Sequence, residues 1–504
     1  MKKKLRVLLW VALTLLLYAG QVAANNITVS NISLTTPNTT DDYVMVQFDI
    51  SWENSWRYSS GPANWDAAWV FVKYRVGTGD WQHAWLNDAG HTATAATIAA
   101  GLRTPGTAFN ATTNPGIGAF IYRSADGTGA FSITGAQLRW NYGANGVADN
   151  ATLDVKVFAI EMVYVPEGSF YVGSGGTENA AFYRYPTTTD AFQVTSEDAI
   201  TVGTATNNLY YPSTSFGGDQ DGPIPAVFPK GYNGFYCMKY EITQQQYVDF
   251  LNTLTQTQAN NRKHTSSSYR YAITGNTVGS YATTHPFVAC NYLSWMDGAA
   301  YSDWAGLRPM TELEFEKACR GTVAPVANEY AWGTATVAGN AYTLNSIGQN
   351  NEGIATNYST AANTGNASYT TTDGSIDSPL RVGIFAGHAS NTGRIKAGAS
   401  YYGIMELSGN LYERPVKVGN ATGRAFTGEH GNGALSANGH ANETAWPGLT
   451  GSPGEVTGAN GSGLRGGCWA CTAELIRASE RYWAEATNTL RESTFGFRAV
   501  RLVP

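Results

Sequence analysis

The chain has 504 residues, enough for two or three domains, and only 14% of them are charged. Gly, Asn, Thr, Ser and aromatics are abundant, which suits a strand- and loop-rich protein and excludes a helical bundle. Lys and Arg number 32 against 38 Asp and Glu, a formal net charge of −6, with no basic patch or arm, so nucleic acid is excluded as a partner.

Lys2, Lys3, Lys4 and Arg6 precede an apolar run from Val7 to about Gly20, and Val22-Ala23-Ala24 supplies small residues at the expected cleavage positions. Residues 1–24 therefore read as a secretory signal peptide, cut after Ala24. The run is short for a bilayer span, and no later stretch is long and apolar enough to cross a membrane. The expected location is secreted, extracellular or at the cell surface, with the periplasm as the other exported compartment. Five cysteines, Cys237, Cys290, Cys319, Cys468 and Cys471, are too few for a disulfide scaffold, so core packing must carry the fold. The first three sit in apolar segments and read as small buried hydrophobes.

Residues 25–159 form a first module. Ile27–Val29, Tyr43–Ile50, Ala68–Tyr74, Ala119–Tyr122, Ala130–Trp140 and Ala151–Ile160 are strand-like, separated by Gly, Asn, Asp and Pro. Short strands without helices predict an all-β immunoglobulin-like sandwich. Trp52, Trp56, Trp65, Trp69, Trp81 and Trp85 read as core and inter-sheet packing, with a carbohydrate-stacking surface as the alternative. No acidic pair or histidine cluster in this module suggests catalysis.

Residues 160–504 form a second unit, opening with a strand, turn and strand over Met162–Phe170. Helices are predicted near Thr243–Thr253, over Tyr292–Trp304, and over Thr311–Arg320, where Thr311 and Glu314 make a capping box. Residues 321–400 and 417–463 are Gly/Asn/Thr/Ala-rich and predict long surface loops. Glu312, Glu314 and Glu316 do not share one helix face. Glu312 and Glu316 are expected to pair with basic groups, not to act as acid/base catalysts.

Five separated segments then line up in order: MVYVPEGSFYVG from Met162, GFYCMKYEITQQQYVDFLN from Gly234, and HPFVACNYLSWMDGAAYSDWAGLRPMTELEFEKACRG from His285. YYGIMELSGNLYERPV from Tyr401 follows, and RGGCW with Arg477, Arg481 and Gly496-Phe497-Arg498 completes the set. Together they resemble the formylglycine-generating enzyme, or sulfatase-modifying factor, family over about residues 160–504. The resemblance implies an irregular α+β domain, the sulfatase-modifying-factor variant of the C-type-lectin-like class.

What it implies about activity is divided. Family members that make formylglycine hold Cu(I) between two cysteines, soft ligands that suit that ion. Cys471 matches the first; the second falls on Ile476, which cannot ligate a metal, and Cys468 takes a position usually held by Ser. Cys468 and Cys471 would be the catalytic pair only if the chain is active. As a lone C-x-x-C they are open to a disulfide, free thiols, a redox pair or a copper site. A second reaction class in the superfamily needs a histidine triad, and the seven histidines here are scattered singly.

Calcium is the better metal expectation: the resemblance implies carboxylates from Glu406 and Glu413 and backbone carbonyls from Gly409 and Leu411, oxygen donors that suit a hard cation. Tyr412 and Arg414 replace the family's usual tryptophans. Arg477, Arg481, Arg491 and Arg498 are expected to be structural. In some relatives the C-terminal positions between framework Arg and Gly residues are diversified to bind different ligands. The matching positions are Ala470, Cys471, Thr472, Leu475, Tyr482, Trp483, Leu490, Glu492, Ser493, Thr494 and Phe495. Three functions follow as expectations: a non-catalytic recognition protein for an extracellular protein or carbohydrate ligand, a copper-dependent formylglycine-generating oxidase, or a self-assembling subunit of an extracellular filament or layer.

Overall fold

The computed structural model describes residues 26–212 and 217–504. The expected leader, residues 1–24, lies outside them. Among the described residues no helix is long and apolar enough to cross a membrane.

The first strands form a three-stranded sheet. β1 (Thr28–Leu34) pairs with β2 (Val44–Arg57), and β2 pairs with β7 (Gly127–Trp140). Alternation along β2 points Val44, Val46, Phe48, Ile50 and Trp52 inward, where they meet Phe131, Ile133, Leu138 and Trp140 of β7. Opposite lies a larger sheet containing β5 (Ala96–Leu102), β6 (Gly116–Arg123), β3 (Asp66–Val76) and β8 (Leu153–Val165) in that order, with β4 (Gln82–His83) paired to β3. Val70, Val72 and Tyr74 of β3 and Ile121 of β6 complete this core. β5 has no counterpart among the strands expected from sequence; its ATIAAGL is mostly small residues, with only Thr97 and Ile98 β-branched.

β3 does not alternate: residues 66–74 are all buried. Such a run needs cover on both faces. Ala68, Val70 and Val72 face the first core, while Ala67, Trp69 and Phe71 face a second core with Tyr236, Trp304 and Phe497.

β8 joins the two units. Its length from Leu153 to Val163 pairs with β3, and Met162–Val165 also pairs with the strand Phe235–Met238. The sheet then continues through Ala499–Leu502 to Arg308–Pro309. The sequence-based boundary at 159/160 falls inside β8, and the segments Ala151–Ile160 and Met162–Val165, expected as separate strands, are one. Trp69 Nε1 donates to Ala305 O at 2.8 Å, Arg501 Nη2 to Leu102 O at 2.5 Å, and Asn64 Nδ2 to Tyr402 O at 2.8 Å, all across that boundary.

The helices are short. α1 (Gln244–Leu251) is capped by Thr243, and α2 (Gln256–Arg262) by Thr255 with Gln258. α3 (Trp295–Trp304) starts at Ser294, later than expected, because Tyr292 sits at φ +59°, outside the right-handed helical region. α4 (Glu312–Arg320) carries the Thr311/Glu314 capping box read from sequence. Residues 321–400 and 417–463, expected as surface loops, bury Trp332, Tyr342, Phe385 and Trp446. Their small polar residues make turns while sparse aromatics fill the interior.

Candidate functional site

The C-terminal frame is built on α4. Glu312 and Glu316 lie one turn apart and both reach Arg465, at 3.1 and 2.8 Å. Arg481 Nε donates to Glu312 Oε2 at 2.8 Å, its Nη1 to Ala180 O at 2.7 Å, and its guanidinium covers the Phe182 ring. Glu314 points elsewhere, to Arg308 Nη1 at 2.8 Å. Burial is the largest influence on Glu312, yet Arg481 and Arg465 outweigh it and hold the carboxyl below its usual range. Arg491 forks onto Asp297 at 2.6 Å, and Arg498 Nε donates to Glu413 Oε1 at 2.6 Å while its other nitrogens donate to Met238 O and Met405 O. Arg477 donates to Asn328 Oδ1 at 3.2 Å. Arg481, Arg491 and Arg498 each tie a carboxylate to backbone carbonyls, whereas Arg477 reaches the side chain of Asn328 and leaves its Nε buried without a partner.

On this frame sits the turn 466–471. Gly467 has φ +71°, and a Cβ there would stand 2.4 Å from Ile476 Cγ2, so only glycine lets the chain pass. Cys468 and Cys471 form a disulfide. Both are buried, in one cluster with Tyr330, Trp332, Tyr369, Tyr412, Ile476 and Phe495, where Ile476 is 0% exposed. Cys471 N donates to Cys468 O, and Cys471 O accepts from Thr370 N. With Cys471 joined to Cys468 and a buried hydrocarbon at 476, these residues do not fit a Cu(I) dithiolate as they stand.

The turn Glu406–Glu413 packs beside it. Glu406 (φ +54°) accepts from Gly383 N at 2.8 Å through Oε1, and its Oε2 is buried with no hydrogen-bond partner. Glu413 gives Oε1 to Arg498, and its Oε2 is likewise buried without a partner. Burial pushes the Glu406 carboxyl up to about 7, against the pull of Arg498. Two unpartnered buried carboxylate oxygens flanking Gly409 and Leu411 fit a hard cation, whose charge would offset the burial penalty. No group of three or more His, Cys, Asp or Glu suited to a metal ion occurs among the described residues, so any cation here would rely on carbonyls as well.

Sequence reasoning missed Glu241. Buried in the strand-to-helix connection, it accepts from Leu411 N at 2.9 Å and from Asn410 Nδ2. Burial raises its carboxyl well above the usual range, and the charges of Glu413 and Glu406 push the same way. A lone acid in the apolar run FYCMKYEI was the available signal. Asn410 passes the order on: its Oδ1 accepts from Leu380 N and its carbonyl from Trp469 N, both at 2.8 Å.

Of the expected ligand positions, Ala470, Thr472, Trp483, Leu490 and Glu492 are exposed, while Leu475, Tyr482, Ser493 and Thr494 are half-buried. Phe495 and Cys471 are buried in the disulfide cluster. Phe495 packs against Tyr412 with ring centroids 6.3 Å apart, which removes it from any outward surface. Trp469 Nε1 donates to Ser493 O at 3.1 Å and ties the two halves of the segment together. Tyr482 and Trp483 meet edge-on at 4.9 Å.

The family model of the sulfatase-modifying factor enzyme 1-like domain matches residues 152–503. A formylglycine-generating enzyme from Streptomyces coelicolor (strain ATCC BAA-471 / A3(2) / M145) is 43% identical over 61 residues, 12% of this chain and 18% of that protein. This match therefore spans under a fifth of that relative's length. Among solved structures, Treponema denticola variable protein 1 aligns over 68% of this chain and 96% of its own, at 14% identity and a TM-score of 0.33. On the family match over most of its length, the chain belongs to the sulfatase-modifying factor enzyme 1-like domain family.

Proposed function

We propose that this chain is an exported, non-catalytic recognition protein that displays the 470–494 surface to an extracellular protein or carbohydrate. The carrying observation is the sulfur inventory: Cys471 is joined to Cys468, and Ile476 occupies the second ligand position in a dry cluster. Without two free thiolates there is no soft pair for Cu(I). The charged Lys2–Arg6 stretch and the apolar run behind it support export. The two sheets packed over one core support an immunoglobulin-like reading of residues 25–159. The unpartnered oxygens of Glu406 and Glu413 support a structural calcium beneath the display surface.

Titration of the purified protein with Cu(I) under reducing conditions, with a cysteine-containing sulfatase peptide as substrate, tests this reading. No stoichiometric copper and no oxidised peptide are expected. The rival is a copper-dependent formylglycine-generating oxidase, favoured by the 43% identity to an enzyme of that name over 61 residues. It requires the disulfide to open and Cys468 with Cys471 to hold the metal. Tight copper binding with peptide turnover, both lost in Cys471→Ala, would establish it.

A further inference from the structure

A cleft of about 680 Å3 opens between the first module and the 386–405 segment of the second. This size lies within the range of about 300–1,000 Å3 usual for ligand sites. The first module supplies Asn54, Trp56, Tyr58 and Thr128, and the second supplies Arg394 and Tyr401.

Each wall is built to present an aromatic ring. β2 and β7 slip between Trp52 and Ser55: three steps along β2 oppose two along β7. The extra residue is accommodated at Asn54, φ +54°. This bulge resets the alternation, so that Ser55 takes the inward position and Trp56 is turned to the cleft side. Ser55 Oγ is held by Asp66 Oδ1 at 2.8 Å, which fixes the switch. Opposite, Ser400 N donates to Ile404 O at 2.8 Å, and Ile404 N to Ser400 Oγ at 3.1 Å, closing a tight turn that carries Tyr401. Gly403 in that turn, at φ +89°, lies so close to the Trp56 indole that a Cβ would stand 3.0 Å from it. The Asn64–Tyr402 hydrogen bond staples the walls together.

The lining is matched in charge and open in hydrogen bonding. The Lys239 ammonium is met by Glu161 at 3.0 Å and Asp66 at 3.4 Å. Tyr58 is 45% exposed. The Arg394 guanidinium lies 5.3 Å from the Tyr401 ring centroid; its Nη2 donates to Ala331 O at 3.4 Å, and its Nε is buried with no hydrogen-bond partner.

We propose that this cleft binds a glycan. Rigid aromatic faces receive the C–H faces of sugar rings, and the Asn54 amide, the Thr128 hydroxyl and the Arg394 guanidinium answer sugar hydroxyls as donors or acceptors. A proline-rich peptide also lies on aromatic ridges, but it offers carbonyl acceptors and few donors, leaving the oxygens of Asn54 and Thr128 unanswered. The full exported chain is screened on an array of neutral, amino-sugar and uronic-acid oligosaccharides, then titrated calorimetrically with chitotriose, xylotriose, maltotriose and a galacturonic-acid trimer. Binding is expected to at least one glycan class, with about a tenfold loss for Tyr58→Ala and for Tyr401→Ala, or about 1.4 kcal/mol each. Asn54→Gly, which removes the amide and tolerates the positive φ of the bulge, is expected to weaken binding as well. A blank array with blank titrations overturns the proposal. So does binding that survives both tyrosine variants, or binding of a proline-rich peptide in place of sugars.

Discussion

Arg481 is a central brace of the frame, because its guanidinium holds Glu312 and two backbone carbonyls in a site closed to water. Arg481→Ala leaves Glu312 with one cation fewer, and a loss of roughly 3–5 kcal/mol is expected in urea unfolding. Arg481→Lys is expected to recover only part of it, since one ammonium cannot span the fork and both carbonyls. Glu443 behaves oppositely. It is buried with Oε1 unpartnered, and burial, then the charges of Asp303 and Glu429, push its carboxyl up to about 9. A carboxyl raised on folding takes up a proton, so its contribution falls as pH climbs from about 4.5 towards 9. Glu443→Gln is therefore expected to stabilise the protein by roughly 1–3 kcal/mol at pH 8 and by much less at pH 5, as read by thermal melts at both pH values. The sequence marks such residues only as acids in apolar surroundings. Glu241 finds its partners 169 and 170 positions away, at Asn410 and Leu411, and no local pattern announces that.

The turns are the elements that matter most here. The Glu406–Glu413 turn ends in buried oxygens with no partner, so calcium added to chelator-treated protein is expected to raise the melting midpoint. At a hundredfold excess over Kd the gain is about 2.7 kcal/mol. Glu406→Gln, which removes the charge without touching the Arg498–Glu413 pair, is expected to abolish that increment. The Cys468–Cys471 disulfide closes a very short loop, with sequence separation 3. Its loss in Cys468→Ser/Cys471→Ser is expected to cost only about 2 kcal/mol. Faster amide exchange confined to residues around 466–476 would locate the effect. Capping boxes at Thr311/Glu314 and Thr255/Gln258 both use a spacing visible in the chain. The second gives no helix signal in the sequence, because QTQANNR has no apolar stripe.

At the scale of the molecule, β8 decides the behaviour. It is shared by both units, and the second core mixes Trp69, Phe71 and Phe120 with Tyr236, Trp304 and Phe497. A single cooperative transition is therefore expected in calorimetry. A fragment of residues 160–504 is expected to aggregate, because it would expose the apolar face of that core and an unpaired strand edge. Recovery of the fragment as a soluble monomer with a sharp melt would contradict this. The sequence by itself determined what acts over a few residues: alternation along β2, the box at Thr311, the glycine at 467, and the hydrocarbon at 476 where a sulfur donor would be needed. It also determined the family, through five motifs in order. Only the tertiary structure decided which faces cover β3, that β8 runs through the expected boundary, that Phe495 turns inward, and that Trp56 and Tyr401 share a cleft. These depend on contacts between residues hundreds of positions apart, where burial and steric fit outweigh any preference written in the neighbouring sequence.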